Sequence, residues 1–222
     1  MEEIEIRRLF DLNHTIAAEL FEGRRYPWEV LGDIGDFIKK LGNKLDPELY
    51  DHPAADIWIA KDAVIAPTAQ LNGPLIVDQG AEIRQCAFIR GSAIIGKGAV
   101  VGNSVELKNC VLFDGVQVPH FNYVGDSVLG YLAHMGAGSV TSNVRSDKRR
   151  IIVHAGEGIH TDRKKVGAML GDRAEIGCNS VLNPGTVVGR DCIIYPASCV
   201  RGVIPENHIY KAADNIVIRR EE

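Results

Sequence analysis

The sequence predicts a mainly β fold, a solenoid whose short strands wind into three-sided coils. Two observations predict it. Aliphatic residues recur at every sixth position, and a small or branched residue follows four places after each. Glycine is abundant, with 23 residues, whereas only 6% of the chain is aromatic, which suits a narrow interior filled by small side chains. The aliphatic positions are Ile59, Ile65, Leu71, Val77, Ile83, Ile89, Ile95, Val101 and Leu107, and later Leu170, Ile176, Leu182, Val188, Ile194 and Val200.

The six-residue period itself selects the architecture. It matches neither the 3.6-residue repeat of an α-helix nor the two-residue alternation of a lone strand, but it fits one short strand followed by a corner. Three such units make a coil of about eighteen residues, and stacked coils pair their strands roughly 4.8 Å apart. Residues 57–204 are therefore predicted to form the solenoid, with residues 205–222 as a C-terminal tail.

Residues 1–56 are predicted to be a helical segment. Asn13 is a candidate cap for a short first helix. Pro27 suits the first position of a second helix, which Gly42 is expected to end. The apolar residues of both helices have the spacing of a face that packs against the solenoid or against a neighbouring subunit.

The repeat is interrupted at three places. A five-residue step leads from Leu107 to Leu112, and a second one leads from Val124 to Leu129. The third interruption is long, because residues 142–169 leave the pattern and contain two extended pieces around a glycine-containing turn, which predicts a protruding hairpin loop. Insertions in a solenoid gather on one side and often build its binding site.

Two cationic residues close to these interruptions form a candidate anion site. Arg90 and Lys108 are eighteen positions apart, so we expect them in one column on adjacent coils, with Asn72 on the coil before. Like charges at this spacing repel, and the two side chains either splay into solvent or share an anion such as a phosphate. His120 and Tyr123 lie within one coil of Lys108.

The overall composition indicates no nucleic-acid or membrane partner. The net charge is −4 and the pI is near 6.0, and neither a long apolar run nor a signal-peptide core is visible. We therefore expect a cytoplasmic protein. Its five cysteines contain no C-x-x-C pair and are expected to be reduced thiols.

The segment "RGSAIIGKGAVVGNSVELKNCVLFDGVQVPHFNYVGDS", followed by "HMGAGSVTSN", resembles the acetyltransferase half of the bifunctional enzyme that makes UDP-N-acetylglucosamine. The loop "DRKKVGAMLGD" is similar to archaeal versions. The resemblance covers about residues 59–202 and implies a single-stranded left-handed parallel β-helix of the hexapeptide-repeat acyltransferase superfamily. It also implies a homotrimer that transfers an acetyl group from acetyl-CoA to an amino-sugar phosphate such as glucosamine-1-phosphate.

The same resemblance implies a role for each site residue. His120 would be the general base, and Arg90 and Lys108 would hold the sugar phosphate. The sugar would also contact Glu106, Tyr123, Asn143 and Lys165, whereas Ala137 and Cys178 would line the acetyl-CoA channel. No metal is expected, because a thioester needs only a base and close orientation.

Two positions depart from the family pattern. His134 stands where the family has asparagine, and Val144 stands where it has tyrosine. His134 would change the sugar that fits, supply a second base, or mark lost activity. Residues 1–56 contain no glycine-rich nucleotide loop, so no uridylyltransferase domain is expected in this sequence.

Two alternative functions stay open at this point. A catalytically silent sugar-phosphate-binding or scaffold trimer would retain the fold without turnover. A zinc-dependent carbonic anhydrase shares the β-helix and needs three converging histidines. His120 and His134 are candidates for that cluster, and His154 and His160 lie in the loop.

Overall fold

A computed structural model describes residues 2–220, which form a three-sided parallel β-solenoid with short helices before it. The α-helices are α1 (Ile6–Leu9) and α2 (Ile34–Gly42). Four 3-10 helices accompany them at Glu2–Ile4, Leu12–His14, Ala18–Phe21 and Pro27–Gly32. The predicted fold class is confirmed: the chain is mainly β, with a solenoid of about nine turns and few helices.

The first face of the solenoid lies against the helices. Its strands are β2 (Ile57–Ala60), β5 (Leu75–Val77), β8 (Ala93–Ile95), the second halves of β10 (Glu106–Leu112) and β12 (Tyr123–Leu129), β17 (Ala168–Leu170), β20 (Thr186–Val188) and β23 (Val203–Ile204). Every residue of β5, β8, β17 and β20 is buried, because the first face is covered on its outer side as well.

The second face contains β3 (Val64–Ile65), β6 (Glu82–Ile83), β9 (Val100–Asn103), β11 (Gln117–His120), β13 (His134–Met135), β18 (Glu175–Ile176), β21 (Ile193–Ile194) and β24 (His208–Ala212). The third face contains β4 (Gln70–Leu71), β7 (Phe88–Ile89), the first halves of β10 and β12, β14 (Val140–Thr141), β19 (Val181–Leu182) and β22 (Cys199–Val200). The remaining strands are β1 (Tyr50–Ala54), β15 (Ile152–Val153), β16 (Ile159–His160) and β25 (Asn215–Ile218).

The hexad residues fill the interior in the predicted way. Val77, Ile83, Ile89, Val101 and Leu107 are all fully buried. Ile59, Ile65 and Leu71 in the first coil are only partly buried. Parallel pairing repeats every 18 residues, for example between Leu75 and Ala93.

The N-terminal segment differs in detail from its prediction. Asn13 does not cap the helix that follows it: it lies inside the 3-10 helix at Leu12–His14, where Asp11 accepts a hydrogen bond from its N–H. The next 3-10 helix, Ala18–Phe21, has no side-chain cap. Pro27 does occupy the first position of a 3-10 helix, but Asp33 separates that helix from α2. The helical part ends at Gly42, and β1 then pairs antiparallel with β2. The last part of residues 1–56, predicted to be helical, therefore forms a strand that is hydrogen-bonded to the edge of the first coil.

The helices are anchored to the solenoid by an aromatic cluster and one close contact. The ring of Phe10 lies 5.1 Å from that of Phe113, and the ring of Phe21 lies 5.6 Å from it. Phe113 follows β10 and is fully buried. Gly42 sits directly on the indole of Trp58, where a Cβ would overlap the ring. The apolar residues of the segment thus pack against the solenoid, which was one of the two expected roles.

Candidate functional site

The two five-residue steps produce the two longest strands of the solenoid. In β10 and β12 the chain turns from the third face to the first without leaving the ladder, so that Glu106 to Leu112 pair with Tyr123 to Leu129 at a spacing of 17 residues. The corner residues are Asn109 and Asp126, with φ of 49° and 48°. Asparagine and aspartate adopt this left-handed conformation more readily than other non-glycine residues. Omitting one residue of the repeat therefore allows the chain to form a tight corner with a polar residue at its tip.

Asp126, at the corner between the third and first faces, is the centre of a polar cluster. Its carboxylate is nearly buried and accepts hydrogen bonds from the Asn143 side-chain amide at 2.6 Å and the Asn109 amide at 2.9 Å. Lys108 Nζ lies 3.4 Å from the same carboxylate. The Asn143 amide also lies 3.1 Å from the Tyr123 hydroxyl. Three polar side chains therefore converge on one buried charge, and Tyr123 joins them through Asn143.

Arg90 and Glu106 form a second part of the cluster. Arg90 Nη1 donates to Glu106 Oε1 at 2.7 Å, and this bond raises the pKa of the guanidinium. Arg90 and Lys108 occupy one column, as the repeat predicts, because Ile89 pairs with Leu107 immediately before them. Each cation nevertheless has its own carboxylate, Glu106 for Arg90 and Asp126 for Lys108. The two expected outcomes, splaying into solvent and sharing one anion, are thus replaced here by two separate ion pairs.

Tyr123 lies at the beginning of the third face, opposite Glu106 in the ladder. Burial raises the pKa of its phenol, so the hydroxyl stays protonated and can both donate and accept a hydrogen bond. Lys165 is exposed, and its neighbour Val166 donates its backbone N–H to the Asn143 carbonyl at 3.1 Å. The backbone of Lys165 therefore lies next to the cluster.

His120 ends β11 at the corner between the second and third faces. Its side chain is exposed, and the following residue, Phe121, has φ of 53°. The buried side chain of Asn122 fixes this corner: its oxygen accepts from the His120 N–H at 3.1 Å, and its amide donates to the Gly136 carbonyl at 2.8 Å. Asn122 thus holds the backbone that presents His120, three residues before Tyr123.

Ala137 and Cys178 lie in the same column as His120. The Gly138 N–H donates to the His120 carbonyl at 3.0 Å, and the Asn179 N–H donates to the Ala137 carbonyl at 2.8 Å. Gly136 leaves room for this stacking, because a Cβ there would lie 3.0 Å from Cys178 Sγ. The three residues expected to serve as base and acyl-donor channel therefore line one corner on successive coils.

His134 lies elsewhere on the second face. It pairs in the ladder with Gln117, three residues before His120, so the two backbones are separated by roughly 10 Å along the face. Its Nδ1 is 2.8 Å from Glu175 Oε2. The structure thus does not bring the two histidines together. Among residues 2–220 no three His, Cys, Asp or Glu side chains are placed to hold a metal ion.

Sequence reasoning missed Asp126 and Asn109 as members of the candidate site. Asp126 ends the stretch "HFNYVGD" that begins at His120, within the segment that resembles the acetyltransferase family, and both Asp126 and Asn109 fall within the five-residue steps. An asparagine or aspartate at a shortened corner was the available signal. What the sequence could not supply was the hydrogen bonds that each makes to residues 17 positions away.

A protein-family model described as the GMPPB C-terminal domain matches residues 71–166 of the sequence. The chain is 30% identical over 97% of its length to a protein of Methanococcus maripaludis (strain C5) named bifunctional protein GlmU, of which it covers 54%. It is 32% identical over 66% of its length to a bifunctional sugar-1-phosphate nucleotidylyltransferase/acetyltransferase of Sulfurisphaera tokodaii, of which it covers 41%. The chain thus spans about half the length of these curated relatives or less.

Two solved structures resemble the chain more distantly. The acetyltransferase domain of PglB from Neisseria gonorrhoeae, in complex with acetyl coenzyme A, is 16% identical with a TM-score of 0.38 over 72% of this chain and 56% of that one. A variant of AntD, an N-acyltransferase from Bacillus cereus in complex with dTDP-4-amino-4,6-dideoxyglucose and coenzyme A, is 15% identical with a TM-score of 0.37 over 75% and 83%. These TM-scores are low, and the similarity assigns no activity to this chain.

None of the helices among residues 2–220 has the length and apolar character that crossing a membrane requires. The resemblance inferred from the motifs is confirmed by the curated relatives: over most of its length, the chain is homologous to bifunctional proteins of the GlmU type.

Proposed function

We propose that the chain is an acetyl-CoA-dependent N-acetyltransferase acting on an amino-sugar phosphate such as glucosamine-1-phosphate. The observation that carries the proposal is the adjacency of two groups of side chains. The polar cluster around Asp126 offers cations and hydrogen-bonding groups for a phosphorylated sugar. The column of His120, Ala137 and Cys178 begins at the neighbouring corner and continues along the next coils.

His120 is the proposed general base. Its imidazole is exposed, and within residues 2–220 it forms no hydrogen bond that would occupy its nitrogens. It takes a proton as the sugar amine attacks the acetyl carbonyl carbon. The N–C bond forms, the C–S bond of the thioester breaks, and the thiolate leaves with a proton as coenzyme A. A positioned base of this kind contributes about 10²–10⁴-fold to a rate.

Arg90 and Lys108 are the proposed phosphate ligands. Because each already has a carboxylate partner, a phosphate binds by adding to the ion pairs or by displacing Glu106, whose side chain is 35% exposed. Glu106 is then free to accept a hydrogen bond from a sugar hydroxyl. Tyr123, Asn143 and Lys165 complete the acceptor site in this proposal.

A homotrimer is the proposed assembly. Large apolar side chains remain exposed beside the site, and Phe121, adjacent to His120, is 62% exposed. Phe88 and Val181 are also exposed and lie in the ladder column of Tyr123 on the third face. An exposed apolar group beside polar ligands is typical of a protein interface. Light scattering at several protein concentrations tests the assembly.

Turnover of acetyl-CoA with glucosamine-1-phosphate tests the activity. Loss of the thioester absorbance in the ultraviolet is the preferred signal, because three of the five cysteines are exposed and would react with thiol reagents. Unphosphorylated glucosamine is the matched control acceptor, and we expect it to be acetylated far more slowly. Absence of turnover with any amino sugar would assign the chain to the alternative function, a sugar-phosphate-binding or scaffold protein.

A further inference from the structure

A second cationic cleft lies farther along the third face, under the hairpin formed by β15 and β16. Its volume is about 290 Å³. The residues that the argument uses are Ser142, Arg145, Asp147, His154, Asn183 and Arg201. None of them belongs to the site described above.

The cleft lies in the same column as Lys108. Gly125 pairs with Lys108, and Ser142, Asn183 and Arg201 follow at the same position on the next coils, since Val124 pairs with Thr141 and Leu182 pairs with Val200. Four coil steps separate Lys108 from Arg201, which is roughly 19 Å. The cleft is therefore a separate place on the same edge of the solenoid.

The hairpin that covers the cleft is firmly docked. Ile151 and Val153 are fully buried, and Gly185 lies so close beneath them that a Cβ there would be 2.7 Å from Ile151 Cγ2. The Thr161 hydroxyl donates to the Ile151 carbonyl at 2.8 Å. This docking places the His154 imidazole beside Arg201.

The charges of the cleft favour an anion. Arg145 donates two hydrogen bonds to Asp147, at 2.9 and 2.6 Å, so these two residues neutralise each other. Arg201 lies 3.0 Å from His154 Nε2. Burial, together with Arg201 and Arg145, lowers the pKa of His154, so the imidazole is neutral and accepts from the guanidinium. Among residues 2–220, no carboxylate forms an ion pair with Arg201.

We propose that this cleft binds a diphosphate group, with Arg201 as its cationic ligand and Ser142 as a hydrogen-bonding neighbour, while Arg145 offsets the charge of Asp147. A guanidinium presents a planar pair of N–H donors that matches phosphate oxygens. The diphosphate is either a free inorganic anion or the diphosphate of coenzyme A. Only the second source rests on the proposed acetyl transfer.

Calorimetric titration of the full chain with inorganic pyrophosphate tests the site without any acetyl transfer. We expect Arg201→Gln to weaken binding by about 10- to 100-fold, the usual effect of removing a charged hydrogen-bond donor. Arg145→Gln is the second variant and should weaken binding as well, because it leaves Asp147 unpaired in the cleft. Arg150→Gln is the control, since this side chain is 63% exposed, pairs with Asp162 and does not line the cleft.

The proposal is overturned if the unmodified chain does not bind pyrophosphate, or if Arg201→Gln binds it as tightly as Arg150→Gln while both unfold at the same temperature. Competition between coenzyme A and pyrophosphate would identify the co-substrate as the source of the diphosphate. Independent binding would identify a free anion. Because these titrations need no amino sugar, failure of the turnover assay leaves their outcome intact.

Discussion

The substitution Asp126→Asn tests the polar cluster most directly. Asparagine has the same shape and also tolerates the left-handed conformation at φ of 48°. It replaces one carboxylate oxygen by an NH₂ group and removes the charge. Three donors, from Lys108, Asn109 and Asn143, then compete for a single acceptor oxygen. The backbone corner keeps its shape, but the three donors no longer all have an acceptor.

The expected loss of stability follows from these contacts. A buried donor left without an acceptor costs about 1–3 kcal/mol, and a hydrogen bond to a charged group contributes about 1.5–3 kcal/mol. Because Asp126 is only 5% exposed, solvent cannot replace the lost acceptor, and we expect the free energy of unfolding to fall by about 2–4 kcal/mol. Urea unfolding at a fixed protein concentration measures it.

The acceptor site should also weaken. Without Asp126 as a charged partner, Lys108 and Asn143 lose their fixed positions, so the KM for an amino-sugar phosphate should rise more than kcat falls. Asp162→Asn is the matched control: its partner is Arg150, its side chain is 77% exposed, and we expect a change within about 1 kcal/mol. If Asp126→Asn unfolds at the same urea concentration as Asp162→Asn and retains its KM, the central role of Asp126 is wrong.

Four further outcomes are expected. His120→Ala should lower kcat by about 10²–10⁴-fold with unchanged unfolding, and full activity in this variant would remove His120 as the base. Lys108→Ala should raise the KM of glucosamine-1-phosphate more than that of glucosamine, and an equal rise for both would contradict a phosphate contact. Gly102→Ala should destabilise the chain by about 3 kcal/mol or more, because a Cβ there overlaps the Pro119 carbonyl. Gly156→Ala is the comparison in the same thermal melt: its Cβ would meet no atom within 4 Å, and we expect only the cost of about 1–2 kcal/mol for an alanine at φ of 57°. Burial raises the pKa of Cys110 to about 12 and that of Cys192 to about 11, so both stay protonated at neutral pH and a thiol reagent should titrate only the exposed Cys86, Cys178 and Cys199 before unfolding and all five afterwards.

The sequence by itself determined the solenoid, because a six-residue period is a local property that every coil repeats. Buried Val77, Ile83 and Ile89 stand where the period puts them. The same arithmetic placed Arg90 and Lys108 in one column. The motifs around His120 then pointed to a family whose curated members are homologous to most of the chain.

Only the tertiary structure decided how the charges are partnered and which corners are tight. The pairing of Lys108 with Asp126, and of His134 with Glu175, joins residues 18 and 41 positions apart. These separations depend on where a coil skips a residue and where a loop is inserted. The contact between Arg201 and His154 likewise depends on the hairpin of β15 and β16, because these two residues are 47 positions apart. Hydrophobic periodicity fixes which side chains face inward, whereas the polar contacts outside are set by the stacking of successive coils, which no single repeat encodes.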